Sequence, residues 1–121
     1  MLADDIVKSD PAWQDFHRGP ADFRFPGGET GREVQARAVT LVETLRETHP
    51  GDHVILVSHA DPLRGIVAHY LGMNANFYYR LGIDCGSISR LSLPNRRQLD
   101  RPAPKARLDF LNLTNHLPPA K

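Results

Sequence analysis

The stretch Val54-Ile55-Leu56-Val57-Ser58-His59-Ala60-Asp61-Pro62 decides how the rest of the chain is read. Its continuous run of branched apolar residues predicts a strand over 53–58, buried on both faces of a parallel sheet. The run stops at a histidine. Asp61 can cap a helix, and Pro62 fits a first helical turn, where a missing N–H costs nothing. Leu63, Ile66, Val67 and Tyr70 recur at helical spacing, which predicts a helix over 62–71 with Gly72 as its C-cap. His59 is thus expected where a buried strand hands over to a helix. Ligands of open α/β sheets bind beyond the carboxyl ends of the strands, and helix N-termini offer free N–H groups to anions. The imidazole reads first as a ligand for phosphate or carboxylate.

Working outward, Thr30-Gly31-Arg32-Glu33 matches the capping-box pattern. Val34, Ala38, Leu41 and Leu45 follow it as one face of a long helix. His49-Pro50-Gly51-Asp52 ends that helix and turns the chain. Before it, Asp10-Pro11 is a helix start with Trp13 and Phe16 as apolar contacts. The segment from His17 to Gly28 reads as a loop pinned by Phe23 and Phe25. After Gly72, Asn76 to Arg80 suits one more helical turn. Ile83 and Ser87 to Leu93 read as strand, and Leu108 to Leu113 as a last strand. Between them Pro94, Pro102 and Pro104 mark an exposed connection. These readings divide the single expected domain, 1–121, into a helix and loop lid over 1–30, a core over 31–93, and a last hairpin and tail over 94–121.

The totals narrow the class. At 121 residues the chain is one domain at most. A net charge of +1 gives no field that would favour nucleic acid or an anionic membrane. One cysteine, Cys85, excludes an internal disulfide framework and suits a reducing cytoplasm. No apolar run approaches the roughly 20 residues that span a bilayer, and the first residues lack the basic and apolar regions of a signal peptide. His17, His49 and His53 show no metal-ligand spacing with carboxylates or cysteine, so neither zinc nor another metal is expected. The order helix, strand, helix, strand, strand is of α/β type. A strand buried on both faces needs parallel neighbours, and this sequence supplies few. An unpaired edge beside 53–58 invites pairing, so a dimer or a strand-exchanged oligomer is expected.

Several segments together resemble the histidine phosphatase superfamily, the phosphoglycerate mutase-like group. These are Pro26-Gly27-Gly28-Glu29-Thr30, the helix with Val34-Gln35-Ala36-Arg37, and Val57-Ser58-His59-Ala60. Ala68-His69-Tyr70-Leu71-Gly72, Gly86-Ser87-Ile88-Ser89 and Leu111-Asn112-Leu113-Thr114 continue the likeness, which runs from about Trp13 to Leu117. The resemblance implies a three-layer α/β/α fold, here partial and lacking the first strand. It also implies metal-free phosphoryl transfer on a small phosphorylated metabolite, without a cofactor, through a phosphohistidine. In that chemistry one histidine of an Arg-His-Gly motif attacks phosphorus. A second, in a Ser-His-Gly-like motif, hydrogen-bonds the phosphoryl oxygens. Two arginines and a general acid complete the pocket. Such transfer is mostly positioning and charge stabilisation, and imidazole is a usable nucleophile near neutral pH.

His59 matches the second histidine and Ser58 its neighbour, while Ala60 stands where glycine is commoner. The resemblance also places Glu29 and Thr30 near the substrate, although capping accounts for Thr30 and helix polarity for Glu29. Arg64 faces either the pocket or solvent, and Asp61 is a helix cap or an acid. His53 and His69 read as structural, and His116 has no assigned role. The 121 residues contain no Arg-His-Gly, and His17-Arg18-Gly19 has those letters in another order within a loop. The chain is therefore expected to hold the C-terminal part of such a domain, without the nucleophile. A non-catalytic module that binds phosphate or pairs with another chain is the alternative.

Overall fold

The computed structural model describes residues 19–24, 26–94 and 106–119. Among the described residues the regular structure is α1 (Gly31–Thr48), α2 (Ala60–Leu71), the 3₁₀ helix Ala75–Arg80, β1 (Ile88–Ser92) and β2 (Arg107–Leu113). This mixture is consistent with the α/β class. No described helix is long and apolar enough to cross a membrane. The expected Asp10-Pro11 helix, with Trp13 and Phe16, lies outside the described residues, as do Phe25 and most of the 94–106 connection.

The caps of both helices follow from their sequences. The Thr30 hydroxyl accepts from the Glu33 N–H at 3.2 Å, satisfying one of the donors a helix start leaves free. The reciprocal half of the capping box is not made, because the Glu33 carboxylate pairs with Arg24 instead. At the far end the His49 N–H donates to Leu45 O at 2.8 Å, and Gly51 turns the chain at φ 77°. α2 closes on Gly72, whose φ of 71° lies in the left-handed region that glycine enters without cost. Its N–H donates to His69 O at 3.2 Å and that of Met73 to Ala68 O at 2.9 Å, the paired bonds of a Schellman ending.

The core is small and sits where α1, α2 and the 3₁₀ helix meet. It comprises Val42, Ile66, Val67, Ala68, Ala75, Tyr78 and Ile83, with Ala21 and Phe23 from the preceding loop. Phe23 thus pins its loop as expected. The expected face of α1 is largely covered, with Val34, Ala38 and Leu45 half-buried, but its most buried residue lies one position from the expected Leu41. Val42 is buried while Leu41 is 52% exposed. One residue is about 100° around a helix, and α1 turns its Gln35–Val42–Arg46 side toward α2. Gly65 makes this close packing possible: a Cβ there would meet the Gln35 side chain at 3.2 Å and its Cα at 3.3 Å. A polar tie closes the other end of the helix pair. Arg46 donates to Glu43 at 2.9 Å and to Pro94 O at 2.7 Å, and the Tyr70 hydroxyl donates to the same Glu43 carboxylate at 2.5 Å. Burial first, and then this bond to Glu43, push the Tyr70 phenol up to about 12.

β1 and β2 pair antiparallel with two irregularities in register, from Ile88 opposite Leu113 to Ser92 opposite Arg107. Ile83, expected as strand, is buried but lies outside β1. Asn112 takes the left-handed conformation at φ 60°. Its side chain accepts from the Asp84 N–H at 2.8 Å and donates to the Asp84 carboxylate at 3.0 Å, while its N–H donates to Ser89 Oγ at 3.0 Å.

One sequence expectation is overturned. Residues 53–58 form no strand, and no described strand pairs with them. Ile55 and Val57 are 89% and 94% exposed, with Val54 and Leu56 more covered on the opposite side. A strand is an agreement between neighbours: branched side chains favour the extended backbone, but the ladder needs a partner. The described residues offer this segment none.

Candidate active site

His59 is the N-cap of α2, with extended backbone at φ −108° and ψ 167°. The helix starts at Ala60, so Asp61 is not the cap but stands in the first turn. Pro62 falls third, still within the turn whose N–H groups have no helical acceptor. The first intrahelical bond runs from the Leu63 N–H to His59 O at 3.2 Å. The N–H groups of Ala60 and Asp61 precede that bond and face outward from the helix start. The His59 side chain makes no capping bond, and the residue is exposed. An unencumbered imidazole therefore sits beside the positive end of a 12-residue helix.

A cavity of about 70 Å³ opens between the first turns of α1 and α2 and the 3₁₀ helix. Glu29, Gly31 and Gln35 line it from the side of α1, Asp61 and Gly65 from α2, and Tyr78 from the 3₁₀ helix. Its lining starts two residues beyond His59, which is not part of the wall. Glu29 is ion-paired with Arg37 at 3.0 Å, and Asp61 with Arg64 at 3.0 Å. Gln35 Nε2 donates to Gly65 O at 2.9 Å, fastening α1 to α2 at the back of the cavity. Burial raises the Tyr78 phenol above its ordinary 10.0, the Asp61 carboxylate adds to the rise, and Arg64 opposes it.

The loop before α1 is held by two arginine pairs. Arg32 bonds Asp22 at 2.6 Å, and that hydrogen bond keeps the Asp22 carboxyl below the usual range. Arg24 bonds both the Gly28 carbonyl, at 3.1 Å, and Glu33; its hydrogen bond lowers the Glu33 carboxyl and raises the guanidinium in turn. The Ala21 N–H donates to Asn76 Oδ1 at 3.1 Å, joining this loop to the 3₁₀ helix. Cavity shape thus depends on contacts between segments more than 50 residues apart in sequence, since this bond spans 55 positions.

Of the residues singled out from sequence, Glu29 and Asp61 meet across one cavity. Thr30 is the cap of α1. Arg64 is neither aimed at the cavity nor solvated along its length: its Nε donates to Leu81 O at 2.7 Å and its Nη1 to Asp61, tying the start of α2 to the end of the 3₁₀ helix. Ser58 is exposed and Ala60 opens the helix. His53 and His69 are exposed, and His116 Nε2 lies 2.8 Å from Gly86 O, far along the chain from α2. Gln35 and Tyr78 were not anticipated. Nothing in a helical glutamine signals a partner 30 residues away. No cluster of three or more metal-binding side chains occurs among the described residues.

Residues 1–101 match the histidine phosphatase superfamily, branch 1. Phosphoserine phosphatase 1 of Hydrogenobacter thermophilus is 29% identical over 120 residues, which are 97% of this chain and 52% of that protein. The probable phosphoglycerate mutase GpmB of Escherichia coli O1:K1 / APEC is 32% identical over 89 residues, 73% of this chain and 41% of that protein. The same figures hold for GpmB of Salmonella paratyphi B. The chain spans about half the length of the curated relatives it matches. With a match over residues 1–101 of its 121, the chain belongs to the histidine phosphatase superfamily.

Proposed function

We propose that His59 is the second, phosphate-contacting histidine of a domain that transfers or hydrolyses the phosphate of a small phosphorylated metabolite through a phosphohistidine. The observation that carries this reading is the free imidazole of His59 at the open start of α2. Ser58 and Ala60 flank the same anion position. The family resemblance assigns Glu29 and Thr30 to the same site from the α1 side, and Arg64 acts by anchoring Asp61. The names of the relatives, a phosphatase and a mutase, support both outcomes of phosphohistidine chemistry, which differ in whether water or a second substrate takes the phosphoryl group. The fold this reading implies is three-layer α/β/α, with 31–93 as core and 94–121 as hairpin and tail. The lone cysteine, Cys85, supports a cytoplasmic setting.

The 121 residues hold no Arg-His-Gly, so the chain by itself lacks the attacking histidine and is a poor catalyst. Loss of a covalent nucleophile removes several decades of rate. The test is phosphate binding, measured by calorimetry in the wild type and the variant and by NMR on the wild-type His59 ring. Inorganic phosphate is expected to shift its resonances saturably, and His59→Ala to weaken phosphate binding at least about tenfold, the loss of one charge-assisted hydrogen bond. Phosphate that leaves the His59 ring unmoved sinks the reading.

A second reading has its own observation. The high exposure of Ile55 and Val57 favours a non-catalytic assembly module that pairs with a second copy through 53–58.

A further inference from the structure

We propose that Tyr78 reads the organic part of the ligand, and that the group it reads is an alcohol hydroxyl on a small phosphomonoester; this rests on His59 as the phosphate contact. Tyr78 is 7% exposed, yet its hydroxyl bonds no protein atom among the described residues. A buried tyrosine hydroxyl ordinarily finds a partner. Phenylalanine would fill the same space without that cost.

The hydroxyl is also not sealed away. The fully buried, unpartnered side-chain atoms among the described residues are Arg46 Nε and Ser87 Oγ, so the equally unpartnered Tyr78 oxygen keeps an accessible edge. Tyr78 lines the cavity, and so does Asp61, the carboxylate whose charge bears on its phenol.

The donor and acceptor pattern selects the ligand group. Tyr78 offers a proton. Asp61 has one oxygen occupied by Arg64 and the other unoccupied, and Gln35 uses its amide nitrogen on Gly65 O, leaving Oε1 as an acceptor. An alcohol fits this set, since it accepts from Tyr78 and donates to Asp61 or Gln35. A carboxylate in that place would face Asp61 and Glu29 as like charges. At about 70 Å³ the cavity has room for several water-sized groups, enough to admit a hydroxymethyl.

The experiment compares propyl phosphate, 3-hydroxypropyl phosphate and inorganic phosphate, with binding followed on the His59 ring. The wild-type chain is expected to prefer the hydroxylated ester over the propyl ester about five- to tenfold, the range of one neutral hydrogen bond. Tyr78→Phe should reduce that preference to within about twofold while leaving the affinity for inorganic phosphate in place and the urea midpoint no lower than that of the parent. A purely structural tyrosine would instead lower the midpoint and leave the preference. If the wild type shows no preference, or Tyr78→Phe retains it, the Tyr78 assignment falls and His59 stands. If none of the three probes perturbs His59, the reading of the site falls and the Tyr78 assignment with it.

Discussion

Replacing Val57 by lysine tests what the uncovered 53–58 segment does. Ile55 and Val57 project almost fully into solvent, at 89% and 94% exposure. Burying one such side chain gains about 1.5–3 kcal/mol. A two-fold pairing of two copies buries four of them, a gross gain of roughly 6–12 kcal/mol. Association costs about 4–15 kcal/mol in lost freedom before any contact is counted. The two ranges overlap, so pairing is expected to be weak and to depend on concentration. Val57→Lys removes two of the four side chains, about 3–6 kcal/mol, and should weaken association at least about 100-fold. Because Val57 touches little within its own protomer, the variant's folding stability should stay within about 0.5 kcal/mol of the parent. Sedimentation velocity over a dilution series, with urea unfolding as the control, reads both quantities. A wild-type chain that stays monomeric at its highest workable concentration, or a Val57→Lys chain that associates equally well, refutes the reasoning.

Three further outcomes are expected. Gly72→Ala meets no clash, since nothing lies within 4 Å of the added Cβ, so its cost is the left-handed backbone alone, about 1–2 kcal/mol by urea unfolding. Gly65→Ala gains about 1 kcal/mol of helix propensity but drives its Cβ against the backbone of Gln35, an overpacking worth about 1–3 kcal/mol; a net loss of up to about 2 kcal/mol is expected, and a stabilised variant would show that the helices separate freely. Tyr70 is raised in the folded state to about 12, so the unfolded chain releases its proton first, from about pH 10; the stability it contributes is complete below that and is lost as pH climbs toward 12. Thermal unfolding measured across that window should show a shallower alkaline decline in Tyr70→Phe.

What the sequence disclosed depended on how far each decision reached along the chain. Thr30 and Gly72 act within a few residues of themselves, and both were legible. The Asp-Pro pair misplaced the start of α2 by two positions, because the free N–H groups of a first turn let proline sit at any of several places there. On α1 the apolar period was visible, and Val34, Ala38 and Leu45 are half-buried as it implies; hidden was that Gln35 and Arg46, two polar residues, share the packed side with Val42, because their partners, Gly65 O and Pro94 O, lie 30 and 48 positions away. The same distance problem hid Tyr78, whose cavity is assembled from α1, α2 and the 3₁₀ helix. For 53–58 the side chains state a preference that the described neighbours do not fulfil, which no local pattern could reveal.

Asn112 shows where rules of substitution mislead. Its torsion angle is one at which a protein engineer would install glycine to relieve strain. Yet that residue is a three-point staple, fixing the second hairpin strand to the Asp84 turn through both ends of its amide and to Ser89 through its main chain. Glycine would ease the torsion while cutting two of the three threads, the two that tie the strand to the Asp84 turn. At this position discomfort in the backbone is the cost of attachment, and a design that optimises torsions one residue at a time would loosen the molecule it set out to tighten.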